Sequence, residues 1–313
     1  MHAIASPAKV DHRAVGQFLA LCFGLTWSIE CAAMWMGVRF DMPSIAGTAV
    51  LAGVMFIPAL SAFVVLRLKT GSGRSSAAWR WGPWRPYAVV WLAVPALMAV
   101  IYLVSWQLGL ADLQASRAAI EQKLAPSRAG TPLPELATFL GITAVQSLTL
   151  GVAVTMLFTF GEEYGWTGFL LPSLLPLGQG RAVLIYGLVW GLWHAPVIVG
   201  GFNYPGHPMA GVAMMCLFTV AVGSVQAALL LRYRSVFLTS FLHASINAQG
   251  QGVLPMLFTA HPLLGGAVGL VGILAFGAVG VVALMTTPGE RAWRGGALAG
   301  DDHHAKAGHR SST

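Results

Sequence analysis

Three polar patches interrupt otherwise apolar stretches of the chain: Glu162 and Glu163 in FGEEYGWTG, His194 in WGLWHAP, and His243 with Asn247 in FLHASINA. An ionisable side chain at the centre of a bilayer costs about 2.5–3.5 kcal/mol on insertion scales, so carboxylates and imidazoles in such surroundings point to function. A carboxylate beside an imidazole can hold and deprotonate a water. A second His and an Asn amide can donate hydrogen bonds to the oxyanion formed when that water attacks a carbonyl. This is a hydrolase set without a nucleophilic Ser or Cys. Glu162, His194 and His243 also suit a divalent metal, since two His and a Glu make an open zinc site. The HExxH spacing that would single out zinc is absent, so the residues leave both chemistries open.

The elements that must position these groups are membrane-spanning helices. The chain has 313 residues, 56% of them hydrophobic and only 9% charged, with a mean hydropathy of +0.70, far more apolar than soluble domains. Crossing a hydrocarbon core of about 30 Å takes about 20 helical residues. Such spans can be drawn near 15–36, 45–66, 87–108, 182–200, 210–231, 236–254 and 263–285, with an eighth between Leu136 and Leu177. Lys and Arg favour cytoplasmic loops. With the N-terminus inside, 14 of the 18 basic residues fall on the inner face, leaving Arg39, Arg117, Lys123 and Arg128 outside. The expected fold is therefore an all-α integral membrane bundle of about eight transmembrane helices with both termini cytoplasmic. It divides into a cytoplasmic segment 1–14, a polytopic domain 15–285 and a disordered tail 286–313. The net charge of +7 follows from this distribution and needs no nucleic acid.

Residues four apart share a helix face. Trp190 and His194 thus point one way from their span, as do His243 and Asn247 from theirs, whereas Glu162 and Glu163 diverge by about 100° and should have different tasks. Helical rise from Tyr186 and Ser235 puts His194 and His243 each about 12 Å beneath the inner surface. Glu162 reaches a similar depth if its helix runs to about Leu170 with FLLPSLLP as a short turn. The set then forms one site in the cytoplasmic half of the bundle.

Other polar features read more simply. Glu30 is expected to reach the interface or pair with Arg39, and Gln146 and Gln226 to hydrogen-bond between helices. Pro58 and Pro95 suggest kinks. Trp79, Trp81 and Trp84 alternate with basic residues as an interface anchor, and 111–135 reads as an exposed external connection with one amphipathic turn. Cys22, Cys31 and Cys216 read as packing residues, and His303, His304 and His309 belong to a solvated tail.

At the three motifs the chain resembles the CPBP family of intramembrane proteases, which spans type II CAAX prenyl endopeptidases, bacteriocin-processing enzymes and related immunity proteins. EEYGWTGFLLP resembles the family's EExxxR, WGLWHAP its aromatic-xxx-His and FLHASIN its HxxxN, while MFIPALSAF looks like its second-span Pro-Ala segment. The resemblance runs from Gln17 to Gln249 and implies an eight-helix architecture. It implies that Glu162 activates water with His194, that His243 and Asn247 stabilise the oxyanion, and that Glu163 supports them. The family's Arg falls at Thr167, which cannot replace a cation electrostatically, with Arg181 as a possible substitute. The implied function is an intramembrane endopeptidase acting on a membrane-associated peptide or lipidated protein. With 14 Arg against 4 Lys the chain looks bacterial, which places it in a bacterial plasma membrane. Two other classes compete: a noncatalytic scaffold or bacteriocin-immunity protein binding a peptide in the same cavity, and a proton-coupled transporter.

Overall fold

The computed structural model describes residues 9–42, 44–71, 79–128 and 134–287; the readings of the first eight residues, of 72–78 and of the histidine-bearing tail fall outside them. The first helix, α1 (His12–Trp35), starts where Asp11 accepts the Ala14 N–H, and Lys69 lies 2.8 Å from the same carboxylate. These neighbours hold the Asp11 carboxyl below its ordinary value. Next come α2 (Ile45–Val54), capped by Ser44, and α3 (Ile57–Thr70). Pro58 lacks the N–H that would continue the ladder, and the break falls just before it, at residues 55–56. In α4 (Arg85–Gln107), by contrast, the helix continues through Pro95.

The expected external connection is more ordered than its composition implies. Its strand β1 (Ala111–Leu113) pairs antiparallel with β2 (Phe258–Ala260), and α5 (Arg117–Arg128) follows. The pairing partner lies far away in sequence, which is why local composition gave no sign of it.

The stretch 136–177 is one bent path. Helices α6 (Leu136–Leu148) and α7 (Leu150–Gly165) meet at 41°, and Trp91 Nε1 donates to the Leu148 carbonyl at the bend, 2.6 Å away. Helix α7 continues through a π-helical turn (Trp166–Leu170), α8 (Leu171–Leu174) and a 3₁₀ turn (Leu175–Leu177). The remaining helices are α9 (Gln179–Trp193), α10 (Ala195–Val199), α11 (Pro208–Tyr233), α12 (Val236–Gly250), α13 (Val253–Leu257) and α14 (Leu270–Met285).

Among the described residues four helices are long and apolar enough to cross a membrane, or five if the bent pair is one span. The segments drawn near 182–200, 236–254 and 263–285 contain helices of only 15, 15 and 16 residues. The drawn spans overshoot because hydropathy does not register the loops and short helices that adjoin these helices. Large apolar side chains are exposed along α1 (Leu21, Leu25, Ile29), α4 (Val89, Leu92, Leu103) and α14 (Leu274, Val281, Val282). An apolar exterior of this extent suits lipid, and the chain is an integral membrane protein. Helix α12 is instead buried on nearly all sides.

Glycines let the helices approach. A Cβ on Gly191 would lie 2.4 Å from Cys216 Cα, and one on Gly187 2.6 Å from Val220 Cα, so α9 and α11 are nearly in backbone contact. Gly165 plays the same part for α7 against Pro58 of α3. Cys31 differs from its packing expectation: it is exposed, whereas Cys22 is buried. Gly191→Ala is expected to lower unfolding stability in detergent by about 1–3 kcal/mol through overpacking. Gly16→Ala, whose Cβ meets nothing within 4 Å, should leave the midpoint unchanged or raise it.

Candidate active site

The site begins with a carboxylate removed from all solvent. Glu163 is 0% exposed, and every group around its side chain can act as a donor. Thr167 Oγ1 lies 3.0 Å from Oε2, Gln226 Nε2 2.6 Å from Oε1 and His243 Nδ1 2.9 Å from Oε1. Tyr186 donates in turn to Gln226 Oε1 at 2.6 Å, which orients the amide so that its nitrogen faces Glu163. Thr167 also meets Thr239 at 2.8 Å. One carboxylate therefore ties α7 to α11, α12 and, through Gln226, α9.

At the position of the family's Arg, the Thr167 hydroxyl hydrogen-bonds Glu163, and the Gln226 amide donates to the same carboxylate. Arg181 is not a substitute: it is exposed in the first turn of α9 and absent from the partners of Glu163. Gln226 does bond between helices, as expected, but its partner is a site carboxylate. Gln146 is exposed, and Gln249 makes the interhelical bond instead, to the Ser147 carbonyl.

The helical turn between adjacent residues aims Glu162 elsewhere, into a cavity of about 780 Å³ that it lines with Trp190, His194, His243 and Asn247. Trp190 is central. Its Nε1 donates to Glu162 Oε2 at 3.0 Å, its ring lies edge-on to His243 with centroids 5.2 Å apart, and its carbonyl lies 2.9 Å from His194 Nδ1. A carbonyl only accepts, so His194 Nδ1 carries the proton and Nε2 is left with its lone pair. Asn247, one turn beyond His243, has no hydrogen-bond partner among the described residues and is half-buried on the cavity wall.

His194 departs from its expected mid-span position. It caps the C-terminal end of α9, because Pro196 two residues later cannot continue the α9 hydrogen-bond ladder. Helix α9 begins at Gln179, well before the assumed start near Tyr186, so His194 stands about 22 Å along it while His243 stands about 10 Å along α12. The two meet because one helix approaches from its far end. Trp193 secures that end: its Nε1 donates to Thr26 Oγ1 at 2.9 Å, and its carbonyl accepts from Trp27 Nε1 at 3.1 Å.

The cavity opens toward one end of the bundle. Exposed residues of its lining, among them Arg39, Asp41, Met42, Gly250, Gln251 and His261, gather at one end of the bundle. Contacts such as Tyr204 with the Val268 carbonyl and Leu110 with the His261 N–H join the loops there. Lys69 with Asp11, and Trp81 stacked on Phe237, lie at the other end. The mouth is thus on the end away from Lys69 and Trp81.

Glu30 is corrected as well. It is 1% exposed and lines the same cavity, because it continues the buried stripe Ala14, Phe18, Cys22 and Thr26 of α1. Arg39 instead pairs with Asp41, through Nε at 2.9 Å and Nη2 at 2.5 Å. The metal candidates Glu162, His194 and His243 do not form a ligand set: among the described residues no three of His, Cys, Asp and Glu are placed to hold an ion. The imidazole Nδ1 atoms of both histidines are already engaged by protein oxygens.

Removing the amide at Gln226→Leu would leave Glu163 and Tyr186 each short of a buried partner. Stability in detergent should fall by about 1–3 kcal/mol. In a double-mutant cycle, Tyr186→Phe should cost less in the Gln226→Leu background than in wild type, and additive losses would show the bond to be idle.

Residues 144–249, the stretch that holds all three motifs, match the family model described as Type II CAAX prenyl endopeptidase Rce1-like. The match supports membership of the CPBP family. No curated protein matches the chain.

Proposed function

Proceeding from that family match, we propose that the protein is an intramembrane endopeptidase of the CAAX type, in which Glu162 and His194 activate water and His243 and Asn247 receive the oxyanion. The observation that carries this reading is the division of labour between adjacent carboxylates. Glu163 is committed to holding His243, and Glu162 is left facing the cavity with Trp190 donating to it.

A water between Glu162 and His194 Nε2 gives up a proton to the Glu162 carboxylate as its oxygen attacks the peptide carbonyl. His243 Nδ1 is engaged with Glu163, so donation from Nε2 into the cavity requires a ring protonated on both nitrogens, ion-paired with that carboxylate. The Asn247 amide supplies the second donor. Collapse of the tetrahedral intermediate breaks the C–N bond, and the proton taken from water passes to the leaving amine.

The eight-span topology with both ends cytoplasmic belongs to the same proposal. Basic residues concentrate at the end bearing 67–85. If that end is cytoplasmic, the mouth faces the opposite compartment. A single cysteine placed at His261, with Cys22, Cys31 and Cys216 replaced, should then react with an impermeant thiol reagent on right-side-out vesicles and be protected on inverted ones. The reverse pattern would invert the topology.

The deciding experiment is cleavage of a library of prenylated and plain peptides by detergent-purified protein. Glu162→Gln should slow cleavage by about 10²–10⁴-fold and Asn247→Ala by about 10²–10³-fold. A chelator should have no effect, in keeping with the separated metal candidates. The neutral Thr167 motivates the second reading, a noncatalytic peptide-binding protein. Binding without cleavage in wild type, unchanged by Glu162→Gln, would favour it.

A further inference from the structure

Glu30 is a cavity acid to which the proposed reaction gives no task. It is 1% exposed, its Oε2 is buried without a hydrogen-bond partner, and it lines the cavity that holds Glu162. Buried carboxylate oxygens are ordinarily satisfied, so an orphan on a residue of the cavity lining marks a place where an occupant supplies the donor. Its position is specific. One turn earlier on α1, Thr26 and Trp27 clasp Trp193, the neighbour of His194, and soon after Glu30 the helix ends at Trp35, leading into the mouth residues Arg39, Asp41 and Met42.

The charges of the cavity indicate what the occupant carries. Its acidic lining residues are Glu30, Asp41 and Glu162, and Arg39 is its basic one apart from histidines. Arg39 and Asp41 satisfy each other, which leaves the two glutamates uncompensated by any Lys or Arg of the lining. The surrounding wall is apolar, with Val54, Met98, Val197, Met215 and Phe218. An apolar wall beside a carboxylate that no Lys or Arg of the lining compensates suits the aliphatic stem and cationic head of Lys or Arg.

We propose that Glu30 is a specificity-determining residue that binds the basic side chain of a Lys- or Arg-bearing peptide substrate beside the scissile bond. The assignment rests on the endopeptidase reading for its consequence in catalysis, but its binding component can be tested separately.

The test uses the purified full chain and paired peptides that differ by Lys against norleucine at each position around the cleaved bond. At one position Lys should raise kcat/KM by about tenfold or more, the size expected of a charge-assisted hydrogen bond. In Glu30→Gln, an isosteric change, that ratio should fall to near one. A ratio near one in wild type at every position would overturn the inference and leave the endopeptidase reading intact. So would a ratio undiminished in Glu30→Gln, or equal slowing of both peptides.

A second arm measures fluorescence anisotropy of labelled peptides with Glu162→Gln and with Glu162→Gln/Glu30→Gln. Tighter binding of the Lys peptide, lost in the double variant, supports the inference even if wild type cleaves nothing, in which case only the hydrolase reading fails. No cleavage and no Glu30-dependent difference in binding would overturn both.

Discussion

A carboxylate placed in a lipid-embedded bundle must be surrounded by donors or it will not stay there, and Glu163 shows how completely that condition can shape a protein. Its donors come from the turn that follows it and from two other helices, and one of them is oriented by a tyrosine on a third. Satisfying them sets the rotation of α7 about its axis. Once that rotation is set, the neighbouring Glu162 must point into the cavity, because consecutive helical residues differ by about 100°.

The network needs helices closer together than ordinary side chains permit. Gly161 and Gly165 bring α7 onto the broken span of α2 and α3, and Gly187 and Gly191 bring α9 onto α11. Between lipid-embedded helices, where apolar burial gives little net drive, close packing and hydrogen bonds carry the association. The π-helical turn at 166–170 belongs to the same solution: Thr167 lies within it and reaches both Glu163 and Thr239. Such turns alter the register of a helix and concentrate where a side chain has to be re-aimed.

Trp190 links this interior to the cavity. It donates to Glu162, packs its ring against His243 and offers its carbonyl to His194, so one residue touches the catalytic candidates from three elements. With Tyr186 and His194 it forms a stripe at four-residue spacing along α9. The stripe holds one polar contact to each glutamate, to Glu162 directly through Trp190 and to Glu163 through Tyr186 and Gln226.

Several of these features were legible in the residues alone. The apolar composition and motif spacing identify an integral membrane protein of helices carrying Glu162, His194, His243 and Asn247, because placing polar groups in lipid is costly enough to mark them. The periodicity of α1 also shows Glu30 in line with Phe18, Cys22 and Thr26, although its proximity to Arg39 in sequence suggested a different partner. Tertiary structure decided the rest. The engagement of Arg39 by Asp41, the donor shell around Glu163, the end at which the cavity opens and the pairing of β1 with β2 all depend on residues far apart in the chain. Local hydropathy and helical periodicity report which face of a segment is apolar, but the partner that satisfies a buried polar atom is known only when the helices have been brought together.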